Sequence, residues 1–440
     1  METIVASASA PIKSALSIVR VSGDEAFSIT EKLLGKPIYI KDRAGILHGV
    51  ISLDGKTIDD CVLLCYPHPH SMTGEDVVEV CCHGSPLIVD EIVEAYIYSG
   101  ARMASPGEFT SRAFYNGKLD LVQAEAINDL INAATRESKD VALLSLNGKT
   151  SATLSPLLGK VGEILASAEV GIDYPEYDEE EPLSLQKIQT QCRTLRDELS
   201  HLVDDGAKGQ YLRQGVDVAI VGEPNVGKSS LLNALLSEQK AIVSNIPGTT
   251  RDVVEGTISI HGLPIRLSDT AGIRESSDAL ERLGVERSKK TLEKAQLVLL
   301  VRSEDEESDL EEELMPLLQG KTVLEVWNKS DLVTHREVGK LYASAIQGDV
   351  EEVKEAIYRA FKMDEAVYST PAFSSQRELG LLREALSLLR QAIDLADQGA
   401  TIDVIASVLQ EAYNALRRVL GLDPTQDFSD EIFSRFCVGK

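Results

Sequence analysis

Residues 222–230 read Gly-Glu-Pro-Asn-Val-Gly-Lys-Ser-Ser and fit the pattern G-x-x-x-x-G-K-[ST], in which a glycine-rich loop wraps the phosphates of a nucleotide. The apolar, β-branched residues 216–221 before the loop predict a buried strand, and residues 231–236 after it predict a helix. In this context Gly222 and Gly227 let backbone N–H groups close around phosphate oxygens at a helix N-terminus. We expect Lys228 to reach the β- and γ-phosphates and the Ser229 hydroxyl to bind magnesium.

Composition sets the class of protein. The chain has 440 residues, of which 43% are hydrophobic and 26% charged, so we expect two or three domains. No long apolar run or signal peptide is visible, which predicts no membrane span. Six cysteines do not make a disulfide framework, so a cytoplasmic location is predicted. The net charge of −26 argues against non-specific nucleic-acid binding, and any RNA contact needs a local basic or shape-selective site.

The pattern of elements divides the chain into three predicted domains. Short apolar runs separated by glycine and proline predict an α+β domain over residues 1–118. Helical spacing begins at Leu119, and it predicts a helical domain made of residues 119–214 and 369–440. The nucleotide domain, residues 215–368, is then an insertion, which requires that its two ends lie close together. The predicted fold class is a multidomain α/β protein with an inserted Ras-like P-loop domain.

Further motifs appear in the order that a Ras-like GTPase needs. Asp269-Thr-Ala-Gly272 follows a predicted strand, and its aspartate can hold magnesium through water while the Gly272 backbone approaches the γ-phosphate. Residues 247–252 (PGTTRD) resemble a first switch segment, with Thr250 as a magnesium ligand. Asn328-Lys-Ser-Asp331 follows another predicted strand, and Asp331 accepts from guanine N1 and N2, a pairing that adenine forfeits. The predicted GTP-binding residues are Asn225, Val226, Gly227, Lys228, Ser229, Ser230, Ser244, Asn245, Ile246, Pro247, Gly248, Thr249, Thr250, Asp269, Thr270, Ala271, Gly272, Asn328, Lys329, Ser330, Asp331, Ser344 and Ala345.

The catalytic group is less evident from the motifs. Ile273 occupies the position of the glutamine that orients water in Ras-type enzymes, and it cannot take that role. Glu281 and Glu286 are candidate water-orienting acids, but both also fit solvated positions on a helix. The positive charge that stabilises the transition state can come from Arg251 or Arg274, or from a cation bound near Asn225.

Several motifs together resemble a known family. The loop with Asn225, the GTTRD segment and residues 269–274 (DTAGIR) are similar to potassium-dependent GTPases that dimerise across their G domains. The chain also resembles the MnmE family of tRNA modification GTPases over essentially its whole length. That resemblance rests on residues 71–79 (SMTGEDVVE), His83-Gly84, 106–114 (PGEFTSRAF), 116–126 (NGKLDLVQAEA) and 436–440 (FCVGK).

The resemblance implies a specific function. Members dimerise through an N-terminal domain that binds a formyl-tetrahydrofolate, and they act with MnmG, an FAD-containing partner, in a heterotetramer. Together they place an aminomethyl-type group on carbon 5 of the tRNA wobble uridine, with the folate as one-carbon donor. GTP hydrolysis drives association of the G domains.

The resemblance also assigns residues by motif. The implied folate contacts are Arg20, Glu79, Lys118 and Lys440. Potassium would be held by Asn225 and Thr249 together with backbone oxygens at Ser244 and Ile246. Glu281 matches the water-orienting glutamate and is preferred to Glu286. The sequence departs from the family at residues 10–16 (APIKSAL), where a glycine-rich stretch is usual, and at Ser85, where a second glycine is usual.

Other interpretations stay open at this point. A GTP-switched RNA-binding or ribosome-assembly factor would do no covalent chemistry on RNA, and a signalling switch would leave the N-terminal motifs unexplained. Cys437 is either a thiol near the one-carbon chemistry or a packed tail cysteine. A zinc site is disfavoured, because the remaining cysteines lack paired C-x-x-C units and fall in strand-like runs that predict core packing.

Overall fold

The computed structural model describes residues 2–40, 43–173, 185–223, 225–237, 255–269, 291–303, 318–333, 335–363, 365–422, 432–434, 436 and 438–439. The chain divides into two compact units, residues 1–128 with 417–440 (unit 1) and residues 129–416 (unit 2). Helices α4 (Leu121–Asn132) and α11 (Ile402–Leu420) run across the limits of these units along the chain. The three predicted domain limits remain predictions. Among the described residues, no helix has both the length and the apolar character needed to cross a membrane.

Unit 1 is built on a six-stranded sheet. Its strands are β1 (Ile4–Ser7), β2 (Leu16–Ser22), β3 (Gly45–Leu53), β4 (Lys56–Tyr66), β5 (Val77–His83) and β6 (Arg102–Met103), in the order β3-β4-β5-β2-β1-β6. All pairs are antiparallel except β1 with β6. Helices α1 (Ala26–Leu34), α2 (Pro86–Tyr98) and α3 (Glu108–Tyr115) complete the unit.

Alternation along the strands of unit 1 separates two faces. Val19, Val78 and Val80 are fully buried in the core that contains residues of α1 and α2. Cys61, Cys65 and Cys82 lie in the same core, and burial raises the pKa of the Cys65 and Cys82 thiols to about 11. The carboxyl-terminal segment also packs into unit 1. Its Phe433 and Phe436 join a cluster with Leu121 and Ala124 of α4 and with Phe114 of α3.

Unit 2 contains a bundle of long helices. They are α5 (Arg136–Leu146), α6 (Lys149–Asp173), α7 (Leu185–Gln214) and α10 (Gln376–Asp397), and α7 packs against the other three. Helical spacing in the sequence predicts helices over residues 157–168 and 185–202, and both are longer in the structure, because α6 begins before Pro156 and α7 continues to Gln214. Ser375 and Glu378 form a reciprocal capping box at the start of α10. The spacing S-x-x-E carries this signal in the sequence.

The second sheet of unit 2 carries the P-loop. Its strands are β7 (Val216–Gly222), β8 (Glu255–Ile260), β9 (Leu263–Asp269), β10 (Leu297–Arg302), β11 (Thr322–Trp327) and β12 (Leu341–Tyr342), with helices α8 (Lys228–Ser237) and α9 (Glu351–Ala360). The order is β12-β11-β10-β7-β9-β8, and only β8 is antiparallel to its neighbour. The carboxyl ends of the parallel strands therefore meet at one edge, where open α/β sheets bind ligands.

The P-loop sheet and the helical bundle share part of their core. Val141 of α5 and Leu212 of α7 belong to the same buried cluster as Val218 of β7 and Leu267 of β9. The Ser138 hydroxyl donates to the carbonyl oxygen of Leu212 at 2.7 Å. Helix α5 is thus packed directly onto the P-loop domain.

Candidate nucleotide site and amino-terminal site

The glycines of the loop are required by close approach of neighbouring atoms. Gly222 has φ 152°, and a Cβ there would overlap the carbonyl oxygen of Val301. Gly227 has φ 92°, and a Cβ there would overlap the side-chain amide of Asn328. Both positions lie in the region of φ that favours glycine. The loop can therefore lie close to the ends of β10 and β11 only with glycine at these positions.

Lys228 lies within the loop that the sequence predicts. Its side chain is buried, and its Nζ donates to the carbonyl oxygens of Gly222 at 2.8 Å and Glu223 at 2.6 Å. An ammonium held over the loop is placed to meet an anionic ligand that enters it. Ser229 and Ser230 follow in the first turn of α8 and are exposed, and Asn225 is exposed with φ 65°. The exposed hydroxyls and the side-chain amide can contact phosphate oxygens and a magnesium ion bound in the loop.

Asp269 reaches the same edge of the sheet through β9. It is the last residue of that strand and pairs in register with Ile220, just before the loop. The other predicted residues of the two switch segments lie outside the described residues. These are Ser244, Asn245, Ile246, Pro247, Gly248, Thr249, Thr250, Thr270, Ala271, Gly272 and Glu281.

Asn328 connects the loop to the predicted guanine site. It is 3% exposed, and its Nδ2 donates to the carbonyl oxygen of Val226 at 2.8 Å and lies 3.4 Å from that of Gly227. Its Oδ1 accepts from the backbone N–H of Ala345 at 3.1 Å. Asn328 therefore links the phosphate-binding loop to the loop that contains Ala345.

The structure brings together the two loops that the sequence assigns to base recognition. The Ser344 hydroxyl donates to Oδ1 of the exposed Asp331 at 2.6 Å, which fixes the carboxylate. Ser330 donates its N–H to the carbonyl oxygen of Ala343 at 3.0 Å. Arg336, which the sequence did not single out, donates to the Ser330 hydroxyl at 3.2 Å and stacks on Tyr342. No motif contains Arg336, so the sequence carried no signal for it.

In unit 1, the structure pairs two of the residues that the resemblance assigned to folate. Arg20 and Glu79 are register partners on β2 and β5, and Oε1 of Glu79 accepts from Nε at 2.9 Å and lies 2.7 Å from Nη2. The guanidinium lies over the Phe109 ring and donates to the carbonyl oxygen of Gly439 at 3.3 Å. The carboxyl-terminal tail therefore lies beside this pair. Burial and the nearby Glu79 raise the pKa of Tyr66 above its ordinary value.

Lys118 contacts a different part of unit 1. Its Nζ donates to the carbonyl oxygen of Pro69 at 2.5 Å, within the loop between β4 and β5. Asn116 donates to the carbonyl oxygen of Thr73 in the same loop at 2.7 Å. Lys440 and Cys437 lie outside the described residues.

A buried charge network, which the sequence reasoning missed, holds the same loop to α3. Arg112 and Glu75 have side chains only 6% and 8% exposed and form two hydrogen bonds of 2.9 and 3.1 Å. Arg112 also donates to Glu108 at 2.9 Å, and Ser22 donates to Glu75 at 2.7 Å. Burial alone would raise the pKa of Glu108, but hydrogen bonds from Arg102, Ser105 and Arg112 lower it to about 2. The sequence did carry a signal for this network, because Glu75 lies in the quoted motif 71–79 and Glu108 and Arg112 lie in the quoted motif 106–114.

The Ras-like sheet, the P-loop and the Asp331 loop together define a P-loop GTPase. Comparison with known proteins narrows this class. The family descriptions "MnmE helical domain" and "GTP-binding protein TrmE N-terminus" match residues 121–437 and 3–118. The chain belongs to the MnmE family of tRNA modification GTPases, which confirms the predicted fold class and GTP hydrolase activity. Membership implies GTP as the substrate and magnesium as its metal ion.

Relatives match over their full length. The tRNA modification GTPase MnmE of Mycoplasmopsis pulmonis is 38% identical over 100% of both chains, and that of Thermotoga maritima is 40% identical over 100% of both. Among solved structures, the G domain of the T. maritima FeoB iron transporter is 29% identical. The match covers 34% of this chain and 99% of that one, with a TM-score of 0.26.

Proposed function

We propose that this protein is a potassium-dependent GTPase that modifies carbon 5 of the tRNA wobble uridine to a carboxymethylaminomethyl-type group. It acts as a homodimer with an FAD-containing, MnmG-like partner, and a folate such as 5-formyltetrahydrofolate donates the one-carbon unit. The proposal is supported chiefly by the Arg20–Glu79 pair beside the carboxyl-terminal tail, in the same chain as a P-loop GTPase domain.

Glu79 has the chemistry that a pterin needs. Both of its contacts with Arg20 use Oε1, and within the described residues no hydrogen bond to Oε2 is found. The side chain is 16% exposed, so this oxygen is partly shielded from water yet accessible to a ligand. A carboxylate held by a guanidinium can accept from the N–H groups of a pterin ring through its second oxygen. Arg20 then orients the acceptor.

Calorimetric titration with 5-formyltetrahydrofolate tests this site. The variant Glu79→Gln keeps the side-chain shape but removes the charge, and Glu94→Gln on the exposed surface of α2 is its control. Hydrogen bonds to charged groups contribute about 1.5–3 kcal/mol, so we expect affinity to fall about 10- to 150-fold in Glu79→Gln and to stay unchanged in the control. If the wild-type protein does not bind the folate, the one-carbon part of the proposal is wrong.

Potassium dependence is tested separately by GTP turnover. Bound potassium would supply the positive charge that an arginine provides in other GTPases. Among the residues that the structure describes, Asn225 is the one proposed to bind potassium, and its exposed position in the loop is compatible with this role. We expect faster turnover in potassium than in sodium, and loss of this difference in Asn225→Ala. Equal rates in both salts would refute the potassium mechanism, and an unchanged rate in Glu281→Ala would remove Glu281 from catalysis.

The tRNA product distinguishes this function from a GTP-switched RNA-binding or assembly factor. We expect a new wobble-uridine derivative in nucleosides from tRNA incubated with the protein, its FAD-containing partner, GTP and folate. Mass spectrometry of the digested tRNA measures it. If the protein hydrolyses GTP and binds RNA but no uridine derivative forms, the result favours a GTP-switched RNA-binding or assembly factor that does not modify RNA.

A further inference from the structure

The hairpin formed by β8 and β9 connects the two sequence-predicted switch segments. β8 begins at Glu255, shortly after Thr250, and β9 ends at Asp269. The strands pair from Glu255 with Ser268 to Ile260 with Leu263 without a register shift. At about 3.3 Å per residue, strands of this length carry the turn roughly 20 Å from the nucleotide edge of the sheet.

The turn of the hairpin is held by α9 and by the segment that follows it. His261 has φ 47°, and its Nε2 lies 2.5 Å from a carboxylate oxygen of Glu355. Its ring meets Tyr358 edge-on, with centroids 4.9 Å apart. The Tyr368 hydroxyl donates to the carbonyl oxygen of His261 at 2.5 Å and lies 3.1 Å from the Tyr358 hydroxyl. The turn is therefore fixed by side chains from two elements.

The same turn touches the helical bundle. A Cβ on Gly262 would overlap the side chain of Glu137, so α5 lies directly on the turn. Farther along β9, Nε of Arg266 donates a hydrogen bond to Oδ1 of Asp217 at 2.5 Å. Its Nη1 donates to the carbonyl oxygen of Gln214, where α7 ends. The hairpin thus contacts the bundle at both α5 and the end of α7.

We propose that this hairpin transmits the nucleotide state of the P-loop domain to the helical bundle through the His261–Gly262 turn and α5. Along the chain, one end of the hairpin connects to both predicted switch segments. Its other end packs against α5, whose Val141 belongs to the core cluster of the P-loop domain. Two hydrogen-bonded strands in closely packed surroundings deform little, so a displacement at one end of the hairpin moves the other end. The inference needs only guanine-nucleotide binding and is independent of the folate and tRNA chemistry.

Hydrogen exchange on the full chain, loaded with GDP or with a non-hydrolysable GTP analogue, tests the coupling. Allosteric coupling energies commonly correspond to at least about a 5-fold change, so we expect α5 amides of the wild-type protein to exchange about 5-fold differently in the two states. In His261→Ala and in Tyr368→Phe the difference should fall below about 2-fold, with GDP affinity unchanged. Glu352→Ala, an exposed position on α9, is the matched control and should behave as wild type.

Several outcomes would overturn the proposal. They are the absence of a nucleotide-dependent difference at α5 in the wild-type protein, its persistence in His261→Ala and Tyr368→Phe, and an equal loss in Glu352→Ala. If His261→Ala fails to fold, Glu355→Gln decides, since it keeps the imidazole and both tyrosines and alters only the partner of Nε2. A full nucleotide response in a folded Glu355→Gln and in Tyr368→Phe would then refute the coupling.

Discussion

Arg112→Met should destabilise unit 1 strongly and leave unit 2 unchanged. The guanidinium makes its hydrogen bonds to Glu75, to Glu108 and to the carbonyl oxygen of Glu2 while only 6% exposed. Methionine fills a similar volume, but Glu75 is left buried without its counter-ion, although the Ser22 hydroxyl remains bonded to it. Breaking a buried ion pair from one side costs about 3–5 kcal/mol.

The double variant Arg112→Met/Glu75→Gln sharpens this prediction. Replacing both partners of a buried pair is often nearly neutral, so we expect the double variant to recover most of the loss. With a urea dependence of about 2 kcal/mol per molar, the unfolding midpoint of unit 1 should fall by about 1.5–2.5 M in the single variant. In the double variant the midpoint should fall by less than about 1 M.

The cysteines provide an assay specific for each unit. Cys61, Cys65 and Cys82 are at most 1% exposed in unit 1, while Cys192 is buried in unit 2. Burial raises the pKa of Cys65, Cys82 and Cys192 to about 11, so these thiols should react with a maleimide only on unfolding. Labelling of each cysteine against urea, read by mass spectrometry, measures each midpoint.

Unit 2 supplies the control for the same samples. Cys192 labelling and the fluorescence of Trp327, the single tryptophan, should keep their midpoints in every variant. A shift of less than about 0.5 M in unit 1 for Arg112→Met would refute the energetic argument. A double variant as unstable as the sum of the two single ones would show that the residues do not interact.

Three further predictions concern the loop and the charge network. Asn328→Ala removes buried hydrogen bonds to Val226 and Ala345, each contributing about 1 kcal/mol, so binding of a fluorescent GDP should weaken about 30-fold; wild-type affinity would contradict its positioning role. Gly222→Ala places a Cβ against the Val301 carbonyl, so nucleotide binding should be lost while unit 1 labelling is unchanged, and a variant that still binds GDP normally would contradict the packing. The pKa of Glu108 is lowered from 4.5 to about 2, so its contribution is present above about pH 4.5 and lost as pH falls toward 2. That shift corresponds to about 3 kcal/mol, which solvent screening reduces to about 1–2, and urea titrations by circular dichroism at pH 3 and 6 should show a smaller pH difference in Glu108→Gln than in wild type.

Local motifs predicted the class of the nucleotide-binding domain and its GTP hydrolase activity, which family membership confirms. A P-loop is contiguous, its glycines and lysine act through the backbone that carries them, and the flanking strand and helix follow from periodicity. The strand–loop order of Asp269 and Asp331 then fixed their place at the carboxyl edge of a parallel sheet. The limits of α6 and α7 were less predictable, because both helices pack against other helices of the bundle, and helix stability in proteins comes mostly from such packing and not from local propensity.

By itself, the sequence determined the type of nucleotide domain, its order of motifs and, through resemblance, the family. These are properties of residues that act within a few positions of one another or at fixed spacings. Only the tertiary structure decided that Asn328 joins two loops, that Arg112 and Glu75 are buried together, and that the His261 turn rests on α5. Each of these joins residues far apart along the chain, and such contacts form only when sheets and helices pack, which no local pattern encodes.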